Sequence, residues 1–191
     1  MISKVVVRDY DERAPGDLGT AGEGALTGTK EDTTMSKILV AYFSASGVTK
    51  KVAERMAKAV GADLYEIVPE VPYTAEDVNY RKPFARCNKE WFKKLEVPAA
   101  GNVPDFDRYE LVLIGFPIWY GCAPIVVHCF ADKHDFTGKK VGLFATSISS
   151  KMGKTAAKFE PHMKGKGELK GDRRILPEDS DEAIAEWVNS L

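Results

Sequence analysis

The sequence lacks a long apolar run and an excess of charge of either sign. None of its apolar stretches approaches the roughly 20 residues that a membrane-spanning helix needs, and the first residues lack the apolar region and cleavage site of a signal peptide. The formal net charge is −1, which leaves no basic stripe for nucleic acid or an anionic membrane. We therefore expect a cytoplasmic protein that binds neither nucleic acid nor a membrane.

Cysteine and histidine are also scarce, at three residues each. Cys87, Cys122 and Cys129 are an odd number without paired spacing, which favours free thiols in a reducing compartment. Cys122, His128 and Cys129 are close in sequence, but neighbouring side chains at 128 and 129 diverge on a helix and no fourth ligand is evident. We therefore predict no metal site.

The composition divides the chain into a short extension and one domain. Residues 1–34 are rich in Gly, Asp, Glu and Thr and have few large apolar side chains, so they cannot build a core. The whole chain of 191 residues, with 44% hydrophobic and 29% charged residues, is otherwise ordinary for a globular protein. We predict a flexible N-terminal extension at residues 1–34, without an assigned function, and a folded domain at residues 35–191.

Apolar segments that alternate with helical patterns predict an α/β fold. Two of the segments are apolar on both faces, as is typical of strands buried between two layers of helix, and the last is polar, as is typical of an edge strand. The predicted strands are residues 38–43, 62–68, 111–116, 140–145 and 168–176.

Helical spacing follows the strands. The first helix is predicted from Gly47 to Val60, another begins near Pro124, and the last begins at Pro177. Residues 73–101 predict short helices over one sheet edge, and we interpret their aromatic side chains as local packing. Parallel neighbours require right-handed crossovers, so we predict a doubly wound five-stranded parallel sheet, order 2-1-3-4-5, with helices on both faces.

The first strand ends in a short turn that is rich in hydroxyl groups and leads directly into a helix. A helix leaves its first backbone N–H groups unpaired and carries partial positive charge there, so small and hydroxyl residues can wrap a phosphate. A single Ser or Thr at this position is usually an N-cap, but three hydroxyls and a glycine in six residues favour a phosphate loop. These residues are Ser44, Ala45, Ser46, Gly47, Val48 and Thr49.

Two further strand ends have residues suited to a ligand. Trp119 and Tyr120 suit stacking on a planar ring or, on the simpler interpretation, packing in the core or an interface. The hydroxyl-rich stretch after the fourth strand leads to residues 153–155, which are similar to the end of a P-loop but lack its leading glycine, so we reject a triphosphate site. The two predicted loops are Pro117, Ile118, Trp119, Tyr120 and Gly121, and Thr146, Ser147, Ile148 and Ser149.

In the predicted strand order the topological switch point lies between the first and third strands, where ligands bind in open α/β sheets. The three loops therefore predict one site, with a phosphate-binding part, an aromatic part and a hydroxyl-rich part. The loops contain no histidine and no paired carboxylates, so we predict no catalytic residue.

The motifs FSASGVT, GFPIWYG and FATS stand at consecutive strand ends, and in this order the chain resembles the flavodoxin family. The family's phosphate loop, S/T-x-S/T-G-x-T, is matched by Ser44, Ser46, Gly47 and Thr49, and the resemblance covers roughly residues 35–191. It implies a flavodoxin-like fold, FMN bound by the three loops, and a low-potential electron carrier. The implied partners are redox proteins, a reductase and an acceptor.

Two other functions stay open. Many flavodoxins are strongly acidic, whereas this chain is nearly neutral. An FMN-dependent NAD(P)H oxidoreductase acting on quinones is the alternative, with residues 73–101 shaping its substrate pocket. A flavodoxin-like binding module that has lost its flavin is a third hypothesis, which the intact loop residues disfavour.

Overall fold

The structure is a computed structural model that describes residues 37–191, so the predicted extension at residues 1–34 lies outside the described residues. The strands of the described part are β1 (Ile38–Tyr42), β2 (Asp63–Glu66), β3 (Val68–Pro69), β4 (Ala99–Ala100), β5 (Leu111–Pro117), β6 (Lys140–Thr146) and β7 (Glu168–Arg174). The helices are α1 (Val48–Val60), α2 (Arg86–Lys93), α3 (Ile125–Asp132), α4 (Thr155–Phe159) and α5 (Asp181–Asn189), with 3-10 turns at Phe106–Arg108 and Glu160–His162.

Five of the strands form one parallel sheet in the order β2-β1-β5-β6-β7. Counted along the chain within this sheet, the order is 2-1-3-4-5, and the predicted flavodoxin-like topology is confirmed. β1 is an inner strand, in which Leu39 pairs with Asp63 of β2 and with Val112 of β5. The strands β3 and β4 form a separate antiparallel ribbon.

The inner strand β1 separates two hydrophobic layers. Leu39 and Ala41 pack in the cluster that includes α3, whereas Val40 and Tyr42 pack in the cluster that includes α1 and α5. Successive side chains of a strand point to opposite faces, so a strand covered by helices on both faces is apolar throughout. The two-layer helical covering predicted from this apolar run is confirmed.

The structure differs from the prediction at two elements. The second predicted strand is divided, because residues 68 and 69 leave the parallel sheet and pair with β4. Pro177 does not start the last helix, and that prediction is wrong: α5 begins at Asp181, where Ser180 Oγ accepts the Ala183 N–H at 3.2 Å. A serine N-cap with two acidic residues in the first turn is a strong helix start, and it overrides the proline signal.

The helices of residues 37–191 are short, the longest being α1 with 13 residues. None of them is long and apolar enough to span a membrane.

Candidate functional site

The first loop encloses the amino end of α1. Gly47 occupies the N-cap position with φ of 83°, a left-handed conformation that favours glycine, and no side chain caps the helix. The first backbone N–H groups of α1 therefore lack a side-chain acceptor in this part of the structure. Ser44 Oγ is buried and has no hydrogen-bond partner among the described residues. An uncapped helix end beside an unpartnered buried hydroxyl fits an anionic ligand.

A buried hydroxyl pair joins the first loop to the third. Thr49 Oγ1 and Thr146 Oγ1 are 2.8 Å apart, and Thr49 is only 1% exposed. One hydroxyl donates to the other, so a single O–H remains available for a ligand. The second loop also bonds Thr146, because the Ile118 N–H donates to the Thr146 carbonyl at 3.1 Å.

The second loop is a tight turn. Trp119 and Cys122 exchange two backbone hydrogen bonds of 3.0 Å, and the residues between them, Tyr120 and Gly121, have φ of 51° and 75°. Two successive positive φ values match a type I′ turn. Glycine adopts this conformation freely, whereas a bulky residue such as Tyr120 does so at a cost of about 1–3 kcal/mol. Backbone strain therefore lies in the loop predicted to hold a planar ring.

The two aromatic side chains of this loop contact different neighbours. Trp119 is half-buried and meets the rings of Phe43 and Tyr73 nearly at right angles, at centroid distances of 5.6 and 5.5 Å. Tyr120 instead stacks on Trp91 of α2, at 5.3 Å and 12°. Both thus have the packing contacts of the simpler interpretation, and their stacking on a ligand stays a prediction.

The hydroxyl of Tyr120 is held by α2. It donates to Asn88 Oδ1, and its oxygen lies 3.7 Å from Cys87 Sγ. Burial raises the pKa of Tyr120, and the neighbouring thiol raises it further, so the phenol stays protonated and remains a donor.

Hydrogen bonds within residues 73–101 hold side chains that pack against the aromatic loop. From the sequence alone these aromatic residues were interpreted as local packing, and their contact with this loop was not predicted. The Tyr73 hydroxyl donates to Glu90 Oε2 at 2.5 Å, and Arg86 Nε donates to Glu90 Oε1 at 2.5 Å. Arg86 also lies over the Tyr73 ring, 4.3 Å from its centroid. Burial and the Glu90 carboxylate raise the pKa of Tyr73, so its hydroxyl stays a donor. The signal in the sequence was the density of aromatic residues among charges.

The third loop lies against the second. A Cβ added at Gly153, which has φ of 58°, would stand 3.3 Å from the Gly121 carbonyl oxygen. Ser147 Oγ accepts the Ser150 N–H at 2.9 Å, and Ile148 between them is fully exposed. The carboxyl edge of β1, β5 and β6 thus brings together all the predicted site residues, which are Ser44, Ala45, Ser46, Gly47, Val48, Thr49, Pro117, Ile118, Trp119, Tyr120, Gly121, Thr146, Ser147, Ile148 and Ser149.

The three cysteines are free thiols. Burial raises the pKa of Cys122 and of Cys129, which keeps both thiols protonated. Within residues 37–191 no three His, Cys, Asp or Glu side chains are grouped as metal ligands.

This fold, with a helix start that lacks a side-chain cap and an aromatic loop at the switch point, defines a flavodoxin-like protein. Residues 37–191 match the family model described as Flavodoxin, and the chain belongs to the flavodoxin family. No curated protein matches the chain.

Solved structures are similar over most of the chain. A candidate flavoprotein from Bacteroides eggerthii has 35% identity over 80% of this chain and 95% of its own, with a TM-score of 0.74. One from Bacteroides uniformis has 33% identity over 81% and 99%, with a TM-score of 0.73. A flavoprotein from Lactobacillus acidophilus, solved in complex with FMN, shares the fold at 24% identity over 78% and 97%, with a TM-score of 0.60.

Proposed function

We propose that the protein binds FMN at the three loops and transfers electrons between redox proteins. The observation that carries the proposal is the first loop, where α1 begins without a side-chain cap and Ser44 Oγ is buried without a partner in the described chain. Membership of the flavodoxin family supports flavin as the ligand. The Lactobacillus acidophilus flavoprotein, which shares the fold and was solved with FMN, supports FMN in particular.

The phosphate of FMN carries about two negative charges, and the first loop has no Lys or Arg among residues 44–49. Backbone N–H groups at the start of α1 and the hydroxyls of Ser44, Ser46 and Thr49 would hold it. Trp119 and Tyr120 would contact the flavin ring, framed by the rest of their loop and by residues 146–149. FMN supplies the redox chemistry, while the protein binds the cofactor and sets its surroundings.

Electron transfer is favoured over an enzymatic reaction because the loops hold no histidine or paired carboxylates. The cavity beside Trp119, Tyr120 and Trp91 has a volume of about 10 Å³, which is room for about one water. An organic substrate does not fit there. Working partners would be a reductase and an acceptor protein in the cytoplasm, where thiols stay reduced.

A second cavity keeps an FMN-dependent NAD(P)H oxidoreductase, acting on quinones, as the alternative. It has a volume of about 400 Å³ and is lined by residues 76, 77 and 82–86. This is the segment expected to shape a substrate pocket, and its Arg86 belongs to the network that reaches Tyr73 and Trp119.

The first test is FMN binding. The purified protein is incubated with FMN, desalted and measured by visible absorption, and we expect flavin bands in near-stoichiometric amount. The double variant Ser46→Ala, Thr49→Ala should bind FMN more weakly by about 1 to 3 kcal/mol, because charge-assisted hydrogen bonds to the phosphate are lost. Thr137→Ala is the matched control, since this exposed hydroxyl bonds Asp135, two residues away, before β6 begins. A colourless protein would overturn the cofactor assignment.

The second test separates carrier from reductase. Anaerobic NADPH is added to the flavin-loaded protein, first alone and then with a quinone. For a carrier, the flavin spectrum stays oxidised until a separate reductase is added. Direct reduction with sustained quinone turnover would establish the alternative instead.

A further inference from the structure

The edge that carries the proposed flavin site is basic, although the chain as a whole has a net charge of −1. The segments that begin at the carboxyl ends of the three inner strands, residues 43–53, 116–131 and 146–159, contain five lysines and no Asp or Glu. The next residues along the chain are Glu54, Asp132 and Glu160. All five lysines are exposed. We call them the basic rim: Lys50, Lys51, Lys151, Lys154 and Lys158.

Contacts between the loops keep the basic rim on one surface. Thr49, directly before the first two lysines, is bonded to Thr146 of the third loop at 2.8 Å. Gly153, directly before Lys154, lies against the carbonyl of Gly121 in the aromatic loop. The lysines therefore surround the loops at which we place the flavin.

Little of this charge is neutralised locally. Lys50 Nζ lies 4.0 Å from Glu66 Oε2. Within residues 37–191 no carboxylate oxygen lies within 4.0 Å of Lys51, Lys151 or Lys154. Glu90, which lines the cavity beside Trp119 and Tyr120, is already bonded by Tyr73 and Arg86. At least three ammonium groups of the basic rim therefore lack a carboxylate partner in the described part of the chain.

Apolar side chains are exposed between the lysines. Val48 is 56% exposed and Ile148 is fully exposed, each within three residues of a lysine of the basic rim. An apolar centre with a charged border is the usual anatomy of a protein–protein interface. This arrangement favours a protein partner over a nucleic acid, for which a broad basic surface is typical.

We propose that the basic rim docks an acidic redox protein, one that surrounds its own redox centre with carboxylates. The proposal rests on the proposed function, because it names the partner class of the same site. Opposite charges on the two faces would steer them together and orient the flavin edge toward the partner's centre. In each encounter one electron leaves the reduced flavin and reduces the partner's oxidised centre, and no bond is formed or broken between the proteins.

The test uses one haem protein in two charge states. A basic c-type cytochrome and the same cytochrome with succinylated lysines serve as electron acceptors for the full-length, flavin-loaded protein, reduced under anaerobic conditions. Stopped-flow absorbance follows ferric haem becoming ferrous, at ionic strengths from about 0.01 M to 1 M, over which the Debye length falls from roughly 30 to 3 Å. We expect the second-order rate with the acidic cytochrome to fall by about tenfold or more as salt rises.

Variants separate the basic rim from other differences between the two cytochromes. Lys51→Gln, Lys151→Gln, Lys154→Gln should lose most of the rate with the acidic cytochrome at low salt and match the unaltered protein at high salt. The control removes the same charge away from the site, by Lys140→Gln, Lys164→Gln, Lys166→Gln, which lie at or just before the amino ends of β6 and β7. It should keep the rate within about twofold at about 0.1 M salt, where the Debye length is about 10 Å and charges on the opposite edge are screened.

The outcomes distinguish this proposal from the proposed function. A protein that retains no flavin reduces neither cytochrome, and that result overturns both. A flavin-loaded protein that prefers the basic cytochrome at low salt, or a triple variant as fast as its control, overturns the docking surface alone. Sedimentation with phosphatidylserine vesicles tests whether the basic rim binds a membrane instead. Vesicle binding that depends on these lysines, without a preference for the acidic cytochrome, would overturn the proposed protein docking.

Discussion

Ser44 shows how a single residue separates a structural role from a ligand-binding one. Its hydroxyl oxygen is buried and has no partner within the described chain, and an unsatisfied buried polar atom costs about 1–3 kcal/mol. A residue kept only for stability would have no reason to be a serine at this position. The unpartnered hydroxyl supports the proposed contact with the phosphate of FMN.

Ser44→Ala should move stability and affinity in opposite directions. The flavin-free protein should become more stable, by about 1–3 kcal/mol, because the unsatisfied hydroxyl is gone, while FMN affinity should fall by about fivefold for one lost hydrogen bond. Urea unfolding and FMN titration measure the two effects. Ser190→Ala is a suitable control, since the Ser190 hydroxyl donates to the Trp187 carbonyl at the end of α5. An unchanged affinity for FMN would exclude Ser44 from the phosphate contacts.

His128 links the stability of the protein to pH. It is buried on α3, its Nε2 has no partner in residues 37–191, and its ring stacks on that of His162 at 4.5 Å and 2°. His162 in turn has its Nδ1 2.8 Å from Asp132 Oδ2. Burial lowers the pKa of His128 to about 4, with further lowering from His162 and Lys158 and an opposing effect of Asp132.

The sign follows from where the proton binds. Above the ordinary histidine pKa of about 6.5 the group is neutral in both states and its full contribution is present, whereas between 6.5 and 4 the unfolded chain takes up a proton that the folded protein excludes. The free energy of unfolding should therefore fall by about 3 kcal/mol from this group as the pH drops to 4. Denaturant unfolding of the protein and of His128→Leu across this range measures it. Parallel curves for the two proteins would contradict the assignment.

At the scale of secondary-structure elements, the inner strands were predictable from the sequence. The runs at β1 and β5 are apolar on both faces because helices cover both sides, and the strand order follows from five parallel strands joined by right-handed crossovers. Local sequence patterns gave wrong element boundaries where tertiary contacts determine the structure. One strand was predicted over residues 62–68, yet residues 68 and 69 pair with β4. The last helix begins at Asp181, after the N-cap Ser180, rather than at Pro177.

Only part of the candidate site was predictable from the sequence. Local sequence indicates loops at strand ends, and the sheet topology then brings the three together. The support of Trp119 and Tyr120 by Tyr73 and Trp91 joins residues more than 25 positions apart, so no local pattern contains it. The left-handed φ of Tyr120 was equally hidden, because only Gly121 signals such a turn in the sequence.

Tyr73→Phe tests whether this support is a structural element of the site. The substitution leaves the ring in contact with Trp119 but removes the donor to the buried Glu90, which should destabilise the protein by about 1–3 kcal/mol. Near-UV circular dichroism should report a changed environment of Trp119. Tyr80→Phe, at a side chain that is 66% exposed, is the control and should change neither signal. Equal stability of the two variants would show that Glu90 is satisfied by Arg86 alone.

For the whole molecule, the near-zero net charge conceals an uneven distribution. Residues 1–36 contain seven acidic and four basic residues, so the remaining 155 residues carry 23 basic and 21 acidic ones. The part that matches the flavodoxin family is thus slightly positive, and its inner-strand loops hold lysines but no carboxylates. This distribution differs from the strong acidity of many flavodoxins, and the total charge of −1 does not show it.

The division of the chain into residues 1–34 and a folded domain predicts what residues 1–34 contribute to stability and to FMN binding. The family match starts at residue 37, the buried core begins with Leu39 of β1, and Leu39 pairs with β2 and β5. A chain that begins at Met35 keeps these strand pairings, so its free energies of unfolding in urea and of FMN binding should equal those of the full chain within about 0.5 kcal/mol, as for changes away from core and site. Parallel unfolding and titration of both chains measure this. A loss larger than about 1 kcal/mol in either quantity would show that residues 1–34 belong to the folded domain, and restoring Lys4–Val7 alone would then test the apolar residues of that segment as the cause.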